Sequence, residues 1–144
     1  MTSNVLIVGG GEVGTYLARL LVANKQQVKI LEVRPEELPR LRRDVPADIV
    51  TIGDGADPAV LEAADVRHVQ VVAAVTGTDA TNLVVTSLAR FEFQVPRTIA
   101  RVHTPKHAWL FTPELGVDMM INQADLMAHL IAEEMVLGNQ RKDL

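Results

Sequence analysis

Residues 5–8 read Val-Leu-Ile-Val, an apolar and largely β-branched run that stops at a cluster of glycines. Gly9, Gly10, Gly11, Glu12, Val13 and Gly14 follow, and the helical pattern of residues 15–21 comes next. This is G-x-G-x-x-G at a strand-to-helix turn, and it constrains the chain more than any other feature. Gly9 allows the tight turn, Gly11 lets a pyrophosphate approach the backbone, and Gly14 lets helix and strand pack closely. An anion would sit on the free N–H groups at the positive end of the helix. The glycines alone are a weak signal, and their place after the first strand makes it much stronger.

The rest of the chain continues the alternation of short apolar runs with helical stretches that marks βαβ units and a parallel sheet. Strands are expected at 4–8, 27–32, 48–52, 69–75, 98–102 and 118–121, with helices at 12–24, 35–43, 58–64, 79–91, 105–111 and 123–138. Asp57 and Thr104 each precede a proline at a helix start, and Asn122 can cap the last helix. The fold expected is a Rossmann-like, doubly wound α/β domain with strand order 3-2-1-4-5-6. It occupies residues 1–138 as one domain and leaves a tail at 139–144. Only five aromatic residues are present (Phe 3, Tyr 1, Trp 1), so the core must come from Val, Leu, Ile and Ala.

Composition narrows the function. The absence of cysteine rules out disulfides, thiolate metal sites and a cysteine nucleophile. Net charge is −4 and, apart from Arg40, Arg42 and Arg43, the basic residues are scattered, which argues against a nucleic-acid partner. The first four residues lack the regions of a signal peptide. No apolar run approaches the roughly 18 residues of a membrane span. A cytoplasmic location is expected.

Three further segments bear on the ligand. Glu32 ends the second strand 18 residues beyond Gly14, where an acid accepts hydrogen bonds from the ribose hydroxyls of an adenosine and repels a 2′-phosphate. Gly53, Asp54 and Gly55 follow the third strand. They leave room for an adenine ring, with Asp54 accepting from its amine, or they are simply a turn. Thr76 lies at the carboxyl end of the fourth strand, where ligands of open α/β sheets collect. Thr78 or Asp79 reads as the cap of the helix that follows.

Taken together, the run Gly9–Gly14, Glu32, Gly53-Asp54-Gly55-Ala56-Asp57-Pro58, Thr76-x-x-Asp79-x-x-Asn82 and Ala100-Arg101-Val102 resembles the TrkA-N domain, also called the N-terminal RCK or KTN domain. The resemblance covers residues 4 to about 138. It implies a nucleotide-binding regulator of a potassium channel or transporter, peripheral to the inner face of the membrane and assembled as dimers or rings. It also implies that Gly10, Glu12, Val13, Thr76, Asp79, Asn82 and Arg101 join the glycines and Glu32 at the ligand. Two positions depart from the family pattern. Glu12 stands where many ATP-sensing members carry an arginine, which disfavours a γ-phosphate and leans toward NAD or NADH over ATP, ADP or AMP. Arg34 stands where the family often has a helix-capping Asp or Asn, and it reads as a solvated residue or as one that stacks on adenine or touches a phosphate.

Candidate catalytic groups are few. The two serines, Ser3 and Ser87, lie outside any G-x-S-x-G turn, and His103 and His107 read as surface histidines rather than a metal pair. The expectation is a sensor, not an enzyme. The alternative is a fragment of a small NAD-dependent oxidoreductase. In the last helix ten of the residues 124–137 are apolar, and Asp125, His129 and Glu133 form a single polar stripe. That exceeds the apolar arc one sheet face can cover, so residues 123–138 are expected to mediate self-association, as the corresponding helix does in the resembling family.

Overall fold

The computed structural model describes residues 2–142. Six strands form one parallel sheet: β1 (Asn4–Val8), β2 (Gln27–Glu32), β3 (Val50–Ile52), β4 (Val71–Ala74), β5 (Arg97–Val102) and β6 (Met119–Asn122), in the order β3-β2-β1-β4-β5-β6. The helices are α1 (Glu12–Ala23), α2 (Leu38–Asp44), α3 (Pro58–Ala63), α4 (Asp79–Ser87) and α5 (Gln123–Lys142). The fold is the Rossmann-like one expected.

Alternation along β1 divides the core. Val5 and Ile7 point to the face covered by α1 and α2, where they pack with Ala18, Ile30 and Leu41. Leu6 and Val8 point to the opposite face and pack with Leu61, Val72 and Val85 beneath α3 and α4. Both faces of the central strands are thus dry, which is why their sequences read as unbroken apolar runs. Chain order reverses between β1 and β4, and this places a crevice at the carboxyl ends of those two strands.

The departures from the expected elements are local. The helix expected at 35–43 opens with a 3-10 turn, Pro35–Glu37, before α2, because Arg34 offers no side-chain cap. The one expected at 105–111 is a 3-10 turn, Pro105–Leu110, whose Thr104 makes no side-chain cap. Asp48 lies in a 3-10 turn after Pro46, so β3 is shorter than expected. The helix expected at 79–91 ends as α at Ser87 and closes with a π turn over Leu88–Glu92. Asp57 and Asn122 cap as expected, accepting from Ala59 N at 2.9 Å and Asp125 N at 3.0 Å. α5 runs on to Lys142, through residues expected as a tail, because Gly138 costs a helix only about 1 kcal/mol. No helix among the described residues is long and apolar enough to cross a membrane.

Candidate functional site

The turn from β1 into α1 shows what each glycine is for. Gly9 has φ +114°, a conformation that favours glycine, and its N–H donates to Leu31 O at 2.9 Å. A Cβ on Gly14 would lie 1.8 Å from Gly9 O, so this position admits no side chain. A Cβ on Gly11 would meet nothing within 4 Å. Gly11 therefore does not serve packing, and its bare backbone faces open space at the head of α1.

That space is a cleft of about 600 Å³ across the ends of β1, β2, β3 and β4. Gly9, Gly11, Glu12, Val13, Glu32, Gly53, Asp54, Gly55, Thr76 and Arg101 line it, ten of the expected positions brought together from five separate stretches of chain. Gly10, Gly14, Asp79 and Asn82 do not. Gly77 lines it too and escaped the sequence reading. Like Gly11, it would seat a Cβ in open space, so two bare backbone turns border the same cleft. The available signal was its place directly after Thr76, one residue into the turn. Thr78, Thr81, Val33 and Arg34 also line it, and of these four only Arg34 and Thr78 had drawn attention in the sequence.

Glu32 is buried, and both carboxylate oxygens are occupied. Oε1 accepts from Gly10 N at 2.8 Å, and Oε2 accepts from Arg34 N at 2.9 Å and Arg34 Nε at 3.0 Å. Burial raises its pKa, but the hydrogen bonds from Arg34 and Gly10 outweigh burial and hold the group below the ordinary carboxylate value. Arg34 is thus neither a merely solvated residue nor a cap. Its half-exposed guanidinium also reaches Glu37 at 3.4 Å. Gly10 acts indirectly: it ties the glycine turn to β2 and its carbonyl accepts from Thr15 Oγ1 and Arg40 Nη2.

The turn after β3 serves two ends. Asp54 Oδ1 accepts from Ala56 N at 2.9 Å, the local turn bond, while the segment also borders the cleft. Its glycines are demanded by packing, since a Cβ on Gly53 would sit 2.7 Å from Val60 Cγ1 and one on Gly55 2.4 Å from Val8 Cγ1.

Asn82 and Asp79 turn inward. Asn82 is fully buried: its Oδ1 accepts from Thr76 N at 2.9 Å and Thr76 Oγ1 at 2.6 Å, and its Nδ2 donates to Thr76 O and Arg101 O. It stitches the end of β4 to the end of β5 and so presents Thr76 and Arg101 to the cleft. Asp79 does not cap α4, and Thr78 makes no side-chain cap either. The Asp79 carboxylate accepts from His103 N at 2.6 Å and Thr104 N at 2.8 Å, and pairs with His107 Nδ1 at 2.8 Å. Burial raises its pKa, but these bonds, led by the His103 N–H, outweigh burial and leave it below the ordinary value. His107, read as a plain surface histidine, is a structural partner of Asp79. Only long-range geometry reveals that pairing, because the two lie 28 residues apart.

Comparison with known proteins matches the TrkA-N domain over residues 5–123, almost the whole of this sheet and its cleft. The chain belongs to the TrkA-N domain family. The Trk system potassium uptake protein TrkA of Mycobacterium tuberculosis (strain ATCC 25618 / H37Rv) is 35% identical over 135 residues, covering 94% of this chain and 60% of that protein. The chain thus spans about three-fifths of the length of this relative. Among solved structures, the TrkA-N domain of the inner membrane protein ybaL from Escherichia coli superposes with a TM-score of 0.77 at 21% identity, covering 92% of this chain and 96% of that one. The Kef CTD of Shewanella denitrificans in AMP-bound form does so with a TM-score of 0.74 at 26% identity, covering 93% and 80%.

Proposed function

We propose that this TrkA-N domain binds an adenine nucleotide, NAD or NADH foremost, and passes its occupancy to a potassium channel or transporter at the inner face of the membrane without making or breaking a bond. The observation that carries the reading is the bare, unpacked backbone at Gly11, at the head of α1 and open to the cleft that also holds Glu32. Phosphates would lie on the Gly11 and Gly77 turns, where N–H groups and the helix dipole favour anions. Adenosine would extend toward Glu32 and the Gly53–Gly55 turn. A family relative named for potassium uptake and a fold neighbour described as AMP-bound support this direction.

The ribose hydroxyls would reach Glu32 once the Arg34 guanidinium turns aside, while the two backbone N–H groups keep the carboxylate ionised. A 2′-phosphate would then meet the buried carboxylate of Glu32 itself, so NADP should bind more weakly than NAD. Glu12 in the first turn of α1 similarly opposes a γ-phosphate. Calorimetric titration with NAD, NADH, NADP, ATP, ADP and AMP is the test. Tighter binding of NAD than NADP is expected, with the margin widened by Arg34→Ala. Equal affinities for NAD and NADP would refute the role given to Glu32, and no binding by any of the six would refute the nucleotide reading.

A further inference from the structure

Arg101 borders two spaces. It borders the cleft described above, and it also lines a smaller cavity at the root of α5 together with Asn122, Gln123 and Met127. In that second direction Nη2 donates to Gln123 Oε1, the first residue of α5, at 3.1 Å. The same guanidinium has its Nε buried with no hydrogen-bond partner among the described residues. The backbone of Arg101 is fixed, because its carbonyl accepts from Asn82 Nδ2 at 2.9 Å and the residue pairs with Ile121 of β6. Only the side chain is free to choose between the cleft and the helix root.

We infer that Arg101 is a latch between ligand and helix: it holds Gln123 at the root of α5 and exchanges that bond for a phosphate group in the cleft. Three observations carry this. A neutral amide is a weaker acceptor for a guanidinium than a phosphate oxygen, which accepts a charge-assisted and often bidentate pair. The pose on Gln123 leaves a buried donor unsatisfied, so it is a pose the side chain gains by leaving. α5 makes little contact with the domain beyond its junction with β6, and its apolar residues are exposed, so a bond at its root bears directly on how firmly the helix is held. Because coupling free energy is reciprocal, a change at Gln123, outside the cleft, must alter the affinity for a phosphate-bearing ligand.

This inference rests on the adenine-nucleotide reading, and ADP and adenosine serve as paired probes, with and without the phosphates. Gln123→Ala removes the competing acceptor and should tighten ADP by about fivefold. Gln123→Glu turns the latch into an ion pair and should weaken ADP by about the same factor. Adenosine affinity should be unmoved by either. In an Arg101→Ala background both substitutions at position 123 should be silent. Hydrogen exchange supplies a readout at the helix: ADP should speed exchange of the amides at 123–127 in the wild type and have no effect in Gln123→Ala. Wild-type binding of ADP with shifts that are absent, of equal sign, shared by adenosine or retained without Arg101 would overturn the latch and leave the nucleotide reading standing. A wild type that binds no adenine nucleotide would remove both.

Discussion

Gly11 and Gly14 stand three residues apart in one motif, yet a single methyl group would meet opposite surroundings at the two. At Gly11 it enters open space at the mouth of the cleft, and at Gly14 it collides with the carbonyl of Gly9. Gly11→Ala should therefore cost about 1 kcal/mol or less, the difference between glycine and alanine at a helix N-cap, while obstructing a phosphate on the turn. Gly14→Ala should cost about 3 kcal/mol or more, since the obstacle is backbone that no rotamer can relieve. Thermal melts paired with calorimetry separate the two. A Gly11→Ala protein that melts cooperatively and keeps wild-type affinity would show that ligand does not use this turn. Residue types in this motif were legible at once from spacing. What they could not reveal was that Glu32 is already engaged by Arg34, because the guanidinium of a half-exposed arginine has no sequence pattern that fixes its partner.

Elements in this domain are joined by a few buried side chains at their ends, and Asp79 is the clearest case. It begins α4 but bonds the turn that follows β5, holding the 3-10 segment Pro105–Leu110 against the sheet. A carboxylate with a depressed pKa stabilises the fold fully above its unfolded value and loses that contribution as pH falls through the folded one. Asp79→Asn keeps one acceptor and loses the charge, so it should destabilise by about 1–3 kcal/mol at neutral pH. Its urea midpoint should also fall less than the wild type's between pH 6 and the acid range, with Glu32 responsible for the acid sensitivity that remains. A mutant whose midpoint tracks the wild type in parallel at every pH would mean that the clamp contributes nothing through its charge. The sequence pointed to capping for Asp79 because local rules see only neighbours within a turn. The real partners arrive from the turn after β5, 24 and 25 residues away.

For the molecule as a whole, the conspicuous feature is α5. Leu126, Met127, Leu130, Ile131, Met135 and Val136 are all exposed, so the helix is not buried within the domain. Apolar surface of this extent favours association, and a homodimer or larger ring through residues 123–138 is the assembly proposed. Leu130→Glu should yield a monomer that still binds nucleotide, because no residue of α5 lines the cleft at the carboxyl ends of β1 and β4. Sedimentation at micromolar concentration decides between outcomes: a wild-type monomer would remove the interface, and a Leu130→Glu protein that unfolds would show the helix to be core.

Periodicity, strand ends and glycine spacing by themselves determined the strand order and four of the five stretches of chain that meet at the cleft, and the fifth, Arg101, followed from the family resemblance. Those features follow from short-range rules: period-2 runs buried on both faces, βα crossovers of one hand, and glycines where backbone must approach backbone. Only the tertiary structure decided which members of the motif face the cleft and which turn inward. The family resemblance implies ligand contacts at Asn82 and Asp79, yet their hydrogen bonds are consumed in joining β4 and α4 to β5 and the turn that follows it. Arg101 looks like one contact among several, yet its reach to Gln123 makes it the link to α5. Hydrogen bonds between groups distant in sequence are set by how the elements pack, and that packing is a property of the whole sheet rather than of any local run of residues.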